Sequence, residues 1–223
     1  MTMKNSLYLL STVLLFSTSI TCTPRTANST QDVSLSASTN PVAQASTPKA
    51  KQQSRPGTKT ETISVEGEKQ QVSLKLFSDP VVPFTTYFPA DFIVDRGGSD
   101  EGTGVRFTSK INGATNEKAY VHAFLPANPP NVARMKTVVT GPRGLLATNK
   151  WKIVSRTNKV NYPWAKEKIV FEQRAAGQNL TGNVIIGENK GKAFYVITHY
   201  PAEYGDGFEP RANLILKNMQ FKQ

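Results

Sequence analysis

The stretch 192–221 constrains the fold of this chain more than any other, because it reads as a complete strand, loop, helix and closing segment. Ala193, Tyr195, Ile197 and His199 alternate with Phe194, Val196, Thr198 and Tyr200, so both faces of the strand are largely apolar or aromatic. A strand of that kind has to be covered on both sides. Asn189-Lys190-Gly191 separates it from an earlier apolar run, with glycine where a short loop needs positive φ, which makes the strand half of an antiparallel hairpin. After Pro201 the chain turns through Tyr204-Gly205-Asp206-Gly207. Phe208, Ala212, Ile215, Leu216 and Met219 then form one apolar stripe on a helix of about three turns. Asp206 and Glu209 read as a capping box at its start, Pro210 is tolerated in a first turn, and Lys217 suits the far end of the helix dipole.

The amino-terminal end has a different character. Lys4 precedes an apolar segment, 7–16, and small polar residues follow up to Cys22, which is the layout of a secretory signal. The segment is too short for a spanning helix, which needs about 20 apolar residues. Cys22 is the single cysteine and lies where such a signal is cut. Ser19-Ile20-Thr21-Cys22 resembles the lipobox of bacterial lipoproteins, although that family usually has Leu at the position of Ser19 and Ala, Gly or Ser at that of Thr21. The resemblance implies a lipidated Cys22 and a chain anchored to a membrane. From residue 23 to about 70 the composition is Ser, Thr, Ala, Gln, Pro and Lys with almost no large apolar residue, which cannot offset the ordering entropy of the backbone. The expectation is a signal peptide over 1–22, a disordered tether over 23–70 with an end-to-end distance of roughly 35–40 Å, and one folded domain over 71–223.

With no cysteine beyond Cys22, the domain has neither a disulfide framework nor a cysteine metal site, so its stability comes from its core. Twenty Lys or Arg stand against twelve Asp or Glu in 71–223. That balance favours an acidic partner or an anionic membrane. Export and the lack of any recognition-helix or aromatic RNA platform exclude nucleic acid from the reading.

Within the domain, Val72, Leu74 and Leu76 mark a first strand, 84–88 a second, and 92–95 its continuation after a turn at Pro89-Ala90-Asp91. Val105, Phe107, Ser109 and Ile111 alternate with polar residues as a half-buried third strand. The glycine-rich run 97–104 before it lacks the Lys-Ser/Thr pair of a phosphate loop and carries two acids, so it reads as a hairpin turn and no cofactor is expected. Residues 120–125 are apolar on both faces and belong in a sheet centre. Asn131 caps a helix carrying Val132, Met135, Val138 and Val139, broken at Gly141-Pro142. Strands follow at 152–159, 164–173 and 180–188. The class is α+β, with helices packed on an antiparallel sheet.

The order of elements, the run Phe84-Thr85-Thr86-Tyr87-Phe88-Pro89, the Gly144-Leu145-Leu146 turn leading to Trp151, and the closing Ile215-Leu216-Lys217-Asn218-Met219 together resemble the PsbP and Mog1-like superfamily over 71–223. The resemblance implies an α/β/α sandwich around a central antiparallel sheet. It also implies an extrinsic, lumen- or periplasm-facing accessory or assembly protein of a membrane complex, photosynthetic in many members and often lipidated in cyanobacteria. No ligand residues carry over with it.

Four side chains suggest a metal site: His199, Glu203, Asp206 and Glu209 offer one imidazole and three carboxylates within eleven residues, a donor set for Zn²⁺, Mn²⁺ or Ca²⁺. A small-ligand or metal-binding lipoprotein is therefore the alternative function. His122 shares a face with Tyr120 and Phe124 and reads as a core histidine. No nucleophile–base–acid set, G-x-S-x-G or H-E-x-x-H occurs, so no enzyme is expected. The contact surface for a protein complex is placed at the loop and helix start, on Tyr200, Tyr204, Phe208 and Arg211.

Overall fold

Short apolar runs separated by turn residues fold as strands, and the computed structural model, which describes residues 55–222, is built mainly of them. The signal peptide, Cys22 and the tether up to residue 54 lie outside the described residues. In chain order the strands and helices are β1 (Thr58–Val65), β2 (Glu68–Ser78), β3 (Phe84–Pro89), β4 (Phe92–Ser99), β5 (Gly102–Ile111), β6 (Ala114–Pro126), α1 (Val132–Thr140), α2 (Leu145–Thr148), β7 (Lys152–Thr157), β8 (Ala165–Ala175), β9 (Gln178–Asn189), β10 (Lys192–Pro201), α3 (Gly205–Lys217) and β11 (Gln220–Phe221).

Four two-residue turns fix the pairings. At Glu66-Gly67, Asn112-Gly113, Ala176-Gly177 and Lys190-Gly191 both residues hold positive φ, 48–52° at the first position and 76–86° at the glycine. This is the turn whose twist matches that of the strands it joins. They connect β1 to β2, β5 to β6, β8 to β9 and β9 to β10, all antiparallel. The run 97–104 is the expected hairpin between β4 and β5. Asn131 caps α1 as expected, its side-chain oxygen accepting from the Arg134 N–H at 2.9 Å.

Seven strands make one sheet in the order β4-β5-β6-β10-β9-β8-β7, and four make a second in the order β1-β2-β3-β11. β10 sits at the centre of the larger sheet with both faces buried, as its composition requires. Phe194, Val196 and Tyr200 pack with Phe208, Ala212 and Ile215 of α3 on one side. Ala193 and Ile197 pack with Met135 and Val139 of α1 on the other. Each such side chain, fully buried, is worth about 1.5–3 kcal/mol.

Two expectations are corrected. A single central sheet was anticipated, yet the turn at Pro89-Ala90-Asp91 moves the chain from the small sheet to the large one, so 92–95 does not continue the strand before it. The tether also ends earlier than residue 70, because β1 and the start of β2 fall inside it. β1 buries only Ile63, and polar contacts supply the rest of its attachment. Glu61 pairs with Lys217 at 2.6 Å, Lys59 donates to the Asn218 side chain at 2.7 Å, and Arg55 donates to Thr85 Oγ1 at 2.7 Å. Arg55 and Lys59 both lie over the Tyr87 ring, at 4.5 and 4.3 Å.

Burial works against the charge of Glu61, but hydrogen bonds from Lys217, Lys59 and Asn218 outweigh it and hold its carboxyl down at about 2. A carboxyl lowered from 4.5 in this way stabilises the fold fully above its ordinary value, and that contribution is lost as pH falls toward about 2. Glu61→Ala is expected to cost about 1–2 kcal/mol in urea unfolding at pH 7 and far less near pH 2.5. Equal losses at the two pH values would contradict this account of β1.

Candidate functional site

The residues of β8, β9 and β10 that face α3 are only partly covered, because α3 packs chiefly on β3 and β1 of the small sheet and otherwise on β6 and β10. What remains is a cleft of about 710 Å³. Its floor is Lys168, Asn183, Ile185, Thr198 and Tyr200 of the sheet. One wall is α3 from Asp206 to Lys217, and the other is the segment from Lys159 to Tyr162 that joins β7 to β8.

The polar groups of the cleft are tied to one another. Asn183 donates both its backbone and its side-chain N–H to Thr198 Oγ1, each at 3.0 Å. Tyr162 stacks on Trp164 with ring centroids 5.4 Å apart, and its hydroxyl donates to Asn213 of α3 at 2.8 Å. The Tyr200 hydroxyl donates to Glu209. Burial, and after it the Glu209 carboxylate, push both tyrosine hydroxyls further above their ordinary value. They therefore serve as neutral hydrogen-bonding groups, not as nucleophiles. Lys159, Lys168 and Lys217 face Glu66, Asp206 and Glu209, so the charges lining the cleft balance.

The four proposed metal ligands are not brought together. Side chains alternate along β10, so His199 projects to the face opposite Tyr200 and α3. There its Nδ1 lies 2.7 Å from the Lys118 carbonyl, and its ring stacks on Tyr120 at 5.0 Å. Glu203 accepts from Gln178 at 2.7 Å, and Glu209 is taken by Tyr200. Among the described residues no group of three His, Cys, Asp or Glu is arranged to hold a metal ion. Nor does the capping box form: α3 starts at Gly205, one residue before Asp206, and no side chain caps it.

The expected contact residues are redistributed in the same way. Tyr200 and Phe208 are core residues with rings 4.8 Å apart. Arg211 is half-buried, paired to Asp91 at 3.2 Å and donating to Gly207 O at 2.9 Å. Only Tyr204 stands exposed. The cleft does lie beside this stretch, but Lys168, Asn183, Thr198, Tyr162 and Asn213 were not anticipated. They meet through the β8–β9–β10 register and the fold of a connecting segment, which no local motif reports.

No protein-family model matches the chain, and no curated protein matches it. Solved structures similar to it include the following two. The solution structure of cyanobacterial PsbP (CyanoP) from Synechocystis has a TM-score of 0.42 and 10% identity, covering 67% of this chain and 92% of that one. A crystal structure from Bacteroides thetaiotaomicron has a TM-score of 0.42 and 14% identity, covering 66% of this chain and 48% of that one, so the chain spans about half the length of that protein. Likeness at this level carries no activity, partner or location to this chain.

His122 is half-buried against Gly104, and burial followed by the Arg106 charge lowers its pKa from 6.5 to about 4. Burial likewise lowers that of His199. The unfolded chain takes up these protons first, so stability declines as pH falls from about 6.5 to about 4. In urea titrations His122→Gln should flatten that decline; a slope identical to the parent's would show that His122 titrates normally in the folded protein.

Proposed function

We propose that this protein is a non-enzymatic accessory or assembly factor, tethered through a lipidated Cys22 to a membrane whose periplasmic or thylakoid-lumenal face it occupies. In this reading it holds a segment of a membrane-protein complex in the cleft along α3. Helices on both faces of the large sheet fit the α/β/α arrangement of PsbP and Mog1-like proteins, and that assignment is part of the proposal.

The observation that carries it is the composition of the cleft. It offers fixed hydroxyls and amides, with balanced charge and no histidine, since His199 and His122 both face the other side of the sheet. Such a lining suits recognition: a tyrosine pushed above its ordinary pKa is a poor nucleophile, and the Glu209 carboxylate beside Tyr200 pushes it further that way. Among the described residues no helix is long and apolar enough to cross a membrane, so in this reading attachment falls to Cys22. A small-molecule ligand is the second reading, favoured by a volume inside the range of about 300–1,000 Å³ typical of ligand pockets.

Tagged full-length protein recovered from gently solubilised host membranes is expected to bring a defined complex with it. Asn213→Arg, which fills the cleft from an exposed position on α3, should abolish that recovery while leaving the melting temperature close to the parent's. Cys22→Ser should move the protein to the soluble fraction. Recovery of the protein alone would sink the assembly reading. A ligand that then raises stability by about 2.7 kcal/mol at a hundredfold excess over Kd would establish the second.

A further inference from the structure

The face of the large sheet that carries α1, opposite the cleft, is where positive charge gathers. From α1 to β7, residues 132–157 hold six Lys or Arg and no acid, and the acids that pair with them are Glu167 and Glu172 of β8. Glu167 is buried, and its carboxylate takes Lys136 of α1 at 2.9 Å and Arg156 of β7 at 2.6 Å. Helix and edge strand are thereby held in one layer. Glu172 takes Lys152 at 3.1 Å. That leaves Arg134, Arg143 and Lys150 exposed, none of them with an ion pair among the described residues.

The same layer exposes aliphatic side chains. Val138 is 45% exposed, Ile153 41% and Val154 58%, three of the five large hydrophobics exposed among the described residues. Ile153 stands opposite Phe171 and Arg156 opposite Ile169 in the β7–β8 register. Phe171 and Ile169 pack in one cluster with Met135 and Val139 of α1, so Ile153 and Arg156 project on the helix side. Val138 and Arg134 border a hollow of about 590 Å³ that Phe124 and Tyr195 also line.

We propose that the α1–α2–β7 layer docks on the surface of an anionic lipid bilayer. The cations are spread over a helix, a loop and an edge strand, which suits a diffuse negative surface and not a single acidic side chain. Arginine and lysine stems can lie along the lipid boundary with their charges at the headgroups while Val138, Ile153 and Val154 enter below them. Each cation near such a surface adds attraction that falls off within a Debye length. A protein partner fits less well, because the cores of protein interfaces favour aromatic residues, whereas the exposed apolar side chains of this layer, Val138, Ile153 and Val154, are all aliphatic. The proposal does not rest on the cleft, and the two can fail separately.

The test uses the full chain carrying Cys22→Ser, so that no acyl chain contributes, in co-sedimentation with phosphatidylcholine vesicles with and without about one third phosphatidylglycerol. Binding to the anionic vesicles should be about tenfold tighter or more, and should weaken as salt rises from about 50 to about 300 mM. Arg134→Glu with Arg143→Glu should lower it about tenfold or more at an unchanged melting temperature. Lys69→Glu with Lys75→Glu, an equal charge change on the small sheet, should leave it intact. If the first pair disturbs the fold, Lys150→Glu with Val154→Ser replaces it and should show the same loss. Equal binding to neutral and anionic vesicles, or equal losses from the two charge-reversal pairs, would overturn the proposal. Retention on polyglutamate beads without vesicle binding would do so too, and would assign the patch to an acidic protein.

Discussion

Covering β10 on both faces is the requirement to which the rest of the domain answers. A strand with Phe194, Val196 and Tyr200 on one side and Ala193, Ile197 and His199 on the other can sit only at the middle of a sheet with a layer above and below. α1 supplies one layer; α3 and the small sheet supply the other. The cleft is a by-product of that solution. α3 covers β10 and β6 and packs on the small sheet, and does not reach over β8 and β9, so part of one sheet face stays open.

The outer strands are held by other means. β1 is the edge of the small sheet and β7 the edge of the large one. Each is fastened to a helix through a carboxylate: Glu61 to Lys217 of α3 for β1, and Glu167, bridging Arg156 and Lys136 of α1, for β7. In Glu167 burial again opposes the charge, and hydrogen bonds from Lys136 and Arg156 keep its carboxyl below the ordinary range. Attachment of the edges therefore responds to acid through carboxylates, while the centre responds through His122 and His199.

How much of this could be read from the sequence follows the range of each signal. Strands and helices with strong periodicity were legible, as were the Asn131 cap and the β4–β5 hairpin, because each depends on neighbours a few residues away. Of the turns with two positive φ values only Lys190-Gly191 was read, because apolar runs flank it on both sides; Glu66-Gly67, Asn112-Gly113 and Ala176-Gly177 each run into a polar stretch. β1 was hidden because its inward face is secured by Arg55, Lys59 and Glu61, residues that resemble linker composition until Asn218 and Lys217 are seen beside them. The metal reading failed for a reason of alternation. Neighbouring residues on a strand point apart, so His199 could not join the carboxylates that follow it. The cleft depends on register across three strands, and sequence proximity carries no trace of it.

The small sheet joins the two ends of the domain: β1, β2 and β3 come from its first residues, while β11 and Leu214 of α3, which pack against them, come from its last. A polypeptide made from its amino end must therefore hold Val72, Leu74, Phe84 and Phe88 without their final partners until α3 and β11 have been made. Hairpins can form early, being local, but this half of the core can close only when the carboxyl-terminal residues arrive. Any machinery that handles the nascent chain would meet the domain's most aggregation-prone form just before α3 and β11 emerge, and loss of β11 would cost far more than its two residues suggest.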